Sequence, residues 1–343
     1  LSGDELDRVP GQVRLARVGG DVRLHEASGH ALLYADRART LLPEADRVLM
    51  RRDTVFDVAS ITKVFTSLTL AALVDRGDVA LGEPVRAYLP GFVGKNAVTV
   101  RHLALHTSGL PWWLPLWSDW PDRAARLDAV LRCPLEAPAG TRYTYSDLNL
   151  ITLQLVLEAV AGDGLAELVR TRVTGPIGMS RTGFGPVEPS LCAATEDEVD
   201  AGRGVVRGEV HDENAWSLGG VSGHAGIFST AHDLGLLGQA VLDGFGGRWA
   251  RDDLSSGATG EQHSLVFELD RPAWMGGLAG PRTMGHTGFT GTSLVIDPDR
   301  QAVAVLLTNR VHPTRETPSI HPLRAAFADE VAALDNLKND RGG

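Results

Sequence analysis

Phe56-Asp57-Val58-Ala59-Ser60-Ile61-Thr62-Lys63-Val64-Phe65 is the stretch on which the reading of this 343-residue chain turns. After Ser60 the apolar residues Ile61, Val64, Phe65, Leu68, Ala71 and Ala72 recur at helical spacing as far as Asp75-Arg76-Gly77. The spacing predicts a helix over 60–75, stopped at Gly77. Ser60 and Lys63, three apart, share a face of that helix, with Ser60 at its positive end. A serine hydroxyl is a poor nucleophile until a base takes its proton. A lysine can be that base if burial and neighbouring positive charge lower its pKa. An arginine cannot, because it stays protonated. Only three of the 33 basic residues are lysine, at 63, 95 and 338. Neither Lys95 nor Lys338 has a role that demands an amine, so arginine is expected to be tolerated at both. The plain alternative for the motif is a capping serine and a surface lysine, which the apolar neighbours Val64-Phe65 make less comfortable.

Outward from this stretch, both chain ends read as α/β material. Val13, Leu15 and Val18, a Gly19-Gly20 turn, then Val22 and Leu24 predict a β-hairpin within 12–33. Ser293 to Ile296, the turn Asp297-Pro298-Asp299-Arg300, and Ala302 to Leu307 predict a second antiparallel pair. Leu323, Ala326, Phe327, Val331 and Leu334 form the stripe of a C-terminal helix. Between these ends the strong signals are helical, the clearest being Leu148 to Val160 closed by Gly162. The expected architecture is α+β, an α/β sandwich. An antiparallel sheet, built from residues 1–99 and 260–343, is flanked by N- and C-terminal helices. A mostly helical domain, residues 100–259, is inserted, and the active site lies where the two meet.

Composition removes several classes. The net charge is −10 and arginines are scattered, which disfavours a nucleic-acid binder. No apolar run reaches 18 residues, so no membrane span is expected. Leu1 to Pro10 contain no apolar signal core, so a cytoplasmic location is expected, or a secreted one if a leader has been removed. Cys133 and Cys192 form neither a metal motif nor a disulfide framework. There is no His-Glu-x-x-His, no Gly-x-Ser-x-Gly elbow and no phosphate-binding glycine loop, so neither metal nor cofactor is expected.

Two further segments carry chemistry. Tyr143-Thr144-Tyr145-Ser146-Asp147-Leu148-Asn149 precedes the apolar helix. A tyrosine with a lowered pKa can act as general base and acid, and residue chemistry alone does not choose between Tyr143 and Tyr145. Ser146 or Asp147 equally suits a helix N-cap. His286-Thr287-Gly288 enters the strand near the C-terminus, where a glycine permits close approach of another group. Four of the seven tryptophans, Trp112, Trp113, Trp117 and Trp120, lie among prolines. Trp113 and Trp117 are candidates for an aromatic wall against an acyl group, the alternative being packing or a docking surface.

Taken in order, Ser60-x-x-Lys63, Tyr145-x-Asp147 and His286-Thr287-Gly288 resemble the serine β-lactamase, DD-peptidase and esterase superfamily, most like its class C β-lactamase branch. Leu105-His106-Thr107-Ser108-Gly109-Leu110-Pro111, His211-Asp212-Glu213-Asn214-Ala215 and Gly223-His224-Ala225-Gly226-Ile227-Phe228-Ser229-Thr230 are similar to further blocks of it, over roughly 12–335. The resemblance implies Ser60 as nucleophile, Lys63 as its base and Tyr145 as the tyrosine of the second motif. It also implies Asp147, His286, Thr287 and Gly288 on the substrate side, with the Ser60 and Phe289 N–H groups as oxyanion hole. Two departures matter. Asp147 stands where many members have Asn, and a carboxylate only accepts hydrogen bonds. His286 stands where β-lactamases have Lys, and a histidine is mostly neutral at pH 7. Both tilt the expectation from a β-lactamase toward hydrolysis of a small ester, amide or D-amino-acid peptide. The alternatives are a transacylase passing the acyl group to an amine or alcohol in natural-product biosynthesis, and a catalytically silent penicillin-binding-type sensor. The implied partner is a small acyl donor, an ester, amide or lactam.

Overall fold

The computed structural model describes residues 9–339. Gly11–Val18 (β1) and Asp21–Leu32 (β2) pair antiparallel. Gly19 and Gly20 between them take φ of 61° and 85°, the positive values that a two-residue hairpin turn requires. Short strands follow at Val48–Leu49 (β3), Phe56–Asp57 (β4), Gly183–Phe184 (β5), Ile227–Ser229 (β6) and Glu268–Leu269 (β7). Met284–Thr287 (β8), Thr292–Asp297 (β9) and Ala302–Thr308 (β10) complete the set. The β9–β10 turn is held by the Asp297 carboxylate, which accepts the Asp299 and Arg300 N–H groups. This is the local role expected of an aspartate in a turn.

Seven strands form one antiparallel sheet in the order β3-β2-β1-β10-β9-β8-β7, and β4-β6-β5 form a small second sheet. β10 lies near the middle of the large sheet and is buried throughout, because both faces are covered. Ala302, Ala304 and Leu306 pack with Leu323, Phe327, Ala328 and Val331 of the C-terminal helix His321–Asn339. Val303, Val305 and Leu307 point the other way, into the main core. The C-terminal helix follows the expected stripe except at Ala326, which is exposed while Ala328 takes its place. Steps of four from Leu323 carry the buried line through 327 and 331, and 328 falls beside that line where 326 does not. The helix expected on the N-terminal side is not seen among the described residues, where the chain enters β1 almost at once. Residues 1–8 lie outside them.

The middle of the chain supplies Thr62–Asp75 (α1), Asp147–Ala161 (α2) and Ala231–Leu242 (α3); the C-terminal helix is α4. α2 ends at Gly162 with φ 76°, the left-handed stop read from the sequence. α3 packs across β1, β9 and β10. One apolar core runs from Val13 and Val305 of the sheet through Val64, Phe65 and Leu68 of α1 to Leu150, Leu153 and Leu157 of α2. This continuity holds the sheet and the helical layer in a fixed relation. No single helix is long and apolar enough to cross a membrane.

Candidate active site

α1 begins two residues later than expected. Ala59–Ile61 form a 3-10 turn, and Ser60 sits in that turn rather than in the helix proper. Ala59 has φ 47°, a left-handed conformation that costs a non-glycine residue energy. It is held there by its N–H donating to Asp57 Oδ1 at 2.8 Å. The turn is also tied to the sheet. Thr290 Oγ1 donates to the Asp57 carbonyl at 2.8 Å, and Thr292 Oγ1 to the Val58 carbonyl at 3.1 Å. A Cβ on Gly288 would come within 2.4 Å of the Val58 carbonyl. The glycine expected to admit substrate thus also lets the β8 end press against the Ser60 turn.

Lys63 is buried and donates to Ser60 Oγ at 2.9 Å and to the His224 carbonyl at 3.2 Å. Its Nζ also lies 2.9 Å from Asp147 Oδ1. Burial pulls the Lys63 pKa down, but the attraction of Asp147 and Tyr145 outweighs it and leaves the ammonium above the ordinary lysine value. The expectation of a lowered lysine pKa is therefore reversed. The charged neighbour at hydrogen-bond distance is a carboxylate, not a second cation. Asp147, expected on the substrate side, faces Lys63 instead and is not on the cavity wall.

Tyr145 lies over the ammonium, with Nζ 4.7 Å from its ring centroid. Burial pushes its phenol above the usual range, while Lys63 and a hydrogen bond with Ser60 pull it back. His106 stacks on the Tyr145 ring at 4.7 Å and accepts the Ser146 N–H at 3.0 Å. Burial first, then the neighbouring His263 and the Lys63 ammonium, pull its imidazole pKa well below the ordinary value. Nothing in the local pattern of Leu105-His106-Thr107 signals that contact, since the two rings meet only once α2 is docked. Tyr143 lines the same cavity but has no contact with Lys63, so geometry separates the two tyrosines.

Ser60 opens into a cavity of about 750 Å³ walled by Tyr143, Tyr145, Thr287, Gly288, Phe289 and several arginines. His286 is not on that wall. It is 2% exposed, its Nδ1 meets the Thr287 carbonyl, and burial followed by Lys63 drives its pKa down to about 4. Trp113 and Trp117 are not on the wall either. Trp113 stacks on Trp112, and Trp117 lines a separate pocket of about 220 Å³ beside Glu196 and Arg315. The tryptophan segment acts through its backbone: Pro111 O accepts from Ser146 Oγ, and Trp112 O from the Asp147 N–H. The Phe289 N–H meets no protein acceptor among the described residues.

Four arginines on the wall escaped sequence reasoning because nothing local marks which of them the folded chain pairs with a carboxylate. Arg271 pairs with Glu261 and Glu268, and Arg315 with Glu196 and Glu213. Arg310 and Arg324 have no carboxylate partner among the described residues. Arg310 donates to the Phe289 carbonyl and Thr317, and Arg324 to the Gly288 and Thr292 carbonyls. The Arg324 Nε is buried with no partner, and burial together with Arg310 pulls its pKa to about 9.

A serine in a strained turn, an ammonium and a phenol around its Oγ, and a seven-stranded antiparallel sheet between helices define the serine β-lactamase and DD-peptidase class. The chain belongs to the Beta-lactamase family, whose model matches residues 4–329. It is 32% identical over 317 residues to the "Putative D-alanyl-D-alanine carboxypeptidase" of Salmonella enteritidis PT4, covering 79% of this chain and 72% of that protein. Among solved structures it is similar in fold to a class C beta-lactamase, with TM-score 0.75 and 18% identity over 96% of this chain and 94% of that one. A like similarity holds with "EstCE1, a hydrolase with promiscuous acyltransferase activity", with TM-score 0.72 and 22% identity over 96% of each chain.

Proposed function

We propose that this protein is an acyl-enzyme-forming serine hydrolase that cleaves a small amide or ester whose donor carries a carboxylate, of the D-amino-acid peptide kind. The observation that carries the reading is the contact set of Lys63, which holds Ser60 Oγ and Asp147 at 2.9 Å each beneath the Tyr145 ring. As an ammonium with three acceptors, Lys63 has no lone pair free. The serine proton passes to Tyr145 Oη as the phenolic proton passes to Lys63 and a lysine proton passes to Asp147. Ser60 Oγ then attacks the carbonyl, and the Ser60 and Phe289 N–H groups hold the oxyanion, a contribution of roughly 3–4 kcal/mol in such sites. Collapse returns the proton along the same route to the leaving group and leaves an acyl-Ser60 ester. Water, activated by the same groups, releases the acid. In this reading Asp147 is the proton store, a role an asparagine cannot fill.

The donor carboxylate is supported by Arg310 and Arg324, the wall cations without a carboxylate partner among the described residues. With His286 neutral, they supply the positive charge near the third motif. The relative's printed name agrees with a donor of this kind. Intact-mass detection of the acyl-enzyme tests the reading, using a library of esters, amides and β-lactams together with matched carboxylate and carboxamide donors. A Ser60 adduct lost in Ser60→Ala and favouring the carboxylate donors is expected. No adduct on folded wild type would make the silent sensor the better reading. Aminolysis or alcoholysis outrunning hydrolysis at millimolar acceptor would make it a transacylase.

A further inference from the structure

His211 is buried, and it touches both Asp57, which holds the turn of Ser60, and the ring of Phe289, so it contacts the supports of both halves of the proposed oxyanion hole, more than two hundred residues apart in the chain. On one side its backbone N–H donates to Asp57 Oδ2 at 2.7 Å. The other oxygen of that carboxylate accepts the Ala59 N–H at 2.8 Å and so holds the left-handed residue immediately before Ser60. On the other side its imidazole lies flat against the Phe289 ring, with centroids 5.7 Å apart and planes 20° apart. Phe289 is 47% exposed, and the guanidinium groups of Arg310 and Arg315 also lie over its ring. Among the described residues the imidazole is the one aromatic ring stacked on it.

The ring of His211 is fixed from below. Its Nε2 bonds Glu196 Oε2 at 3.0 Å and lies 3.7 Å from Glu198 Oε1. The two glutamates and His211 have the spacing of a metal site. Each glutamate, however, already holds a guanidinium, Arg315 on Glu196 and Arg203 on Glu198. The charged groups around the imidazole are thus Glu196, Glu198, Asp57 and Arg315, with Arg203 on its own carbonyl and Asp212 and Glu213 next in sequence.

We propose that His211 is a positioning residue: one residue that joins the nucleophile turn, through Asp57, to the Phe289 side of the oxyanion hole, through ring stacking. The inference rests on the reading of Ser60 and Phe289 given above. A change at this joint alters how the two N–H groups converge on the oxyanion, which exists only in the transition state, so kcat falls while KM stays.

The test is acylation of Ser60 by a fluorophosphonate probe and by the best donor of the library, with each variant's rate referred to its titrated active sites. His211→Gln, which can still bond Glu196 but has no ring, is expected to acylate at least tenfold slower with KM within twofold. His211→Phe, which restores a flat ring and loses the glutamate contact, is expected to recover to within threefold of wild type. A folded His211→Gln that acylates at the wild-type rate overturns the inference, as does a His211→Phe no faster than His211→Gln. Should His211→Gln fail to fold, Phe289→Leu removes the other ring and keeps the N–H. A tenfold loss there supports the joint, and a normal rate sinks it. Wild type that the probe never labels at Ser60 removes the catalytic reading, and the joint with it. Labelled wild type with indifferent variants removes the joint alone.

Discussion

Lys63 and Lys95 are both buried lysines with all their hydrogens in use, and the partners decide what each does. Lys63 meets a hydroxyl, a carbonyl and a carboxylate, acceptors among which a proton can move. Lys95 donates to three carbonyls, Val93, Leu131 and Cys133, and lies over the Phe92 ring. Lys63→Arg keeps the charge beside Asp147 but removes a proton that can be passed on. Acylation is expected to fall by about 10²–10⁴-fold, the worth of a general acid–base group, with a far-ultraviolet spectrum like wild type. Near-normal acylation would return Lys63 to a structural role. At Lys95 the expectation of tolerance to arginine is corrected. A planar guanidinium does not fit a compact three-carbonyl cradle, and Lys95→Arg is expected to lower the unfolding free energy by about 1–3 kcal/mol in urea melts. The Lys338 side chain lies outside the described residues.

At the scale of elements, the candidate active site is a seam between β8–β9 and the turn that precedes α1. The β9–β10 hairpin and α2 were legible because turn residues and helical periodicity act locally. Gly288 was legible as a glycine that something approaches closely, but not that Val58 is among what approaches. Gly288→Ala would place its Cβ 2.1 Å from Thr292 Oγ1 and 2.4 Å from the Val58 carbonyl. Backbone cannot yield there as a flexible side chain can, so β8 and the Ser60 turn must separate. Acylation is expected to fall at least tenfold, and the melting temperature to drop by several degrees, read by calorimetry and probe labelling on the same sample. An unchanged labelling rate would mean the seam is not what aligns Ser60.

For the whole molecule, pH dependence follows from buried neutral histidines. Burial lowers the pKa of His263, His286 and His312 to about 4 each, from the ordinary 6.5. Between those values the unfolded chain takes up protons that the folded one refuses, so stability is full above 6.5 and is lost as pH falls toward 4. Three groups oppose this. Burial raises Glu198 to about 7, the carboxylates beside His211 raise its imidazole against burial, and burial raises Asp57, so each favours the folded state at lower pH. With His106 also lowered, four imidazoles outnumber them, and the unfolding free energy from urea melts is expected to fall from pH 6.5 to pH 4.5 by an amount on the order of a few kcal/mol in total. A flat profile over that range would mean these imidazoles titrate in the folded protein.

What the sequence alone determined is what short-range physics writes into neighbouring residues. That includes the approach of Ser60 to Lys63 at the start of α1, the two glycines of the first hairpin, the Gly162 stop, and three motif segments in a recognisable order. What only the tertiary structure decided is which charges meet. Asp147 lies 84 positions from Lys63 and reverses the lysine pKa expected from burial. Arg310 and Arg324 stand out only after Arg271 is matched to Glu261 and Glu268 and Arg315 to the distant Glu196 and Glu213, and the tryptophans leave the cavity wall only after their loop is seen to hold α2 by its backbone. Backbone periodicity repeats within a few residues and can be read along the chain. Electrostatic pairing acts through space, and its partners are chosen only when the folded core brings distant segments within a few ångströms.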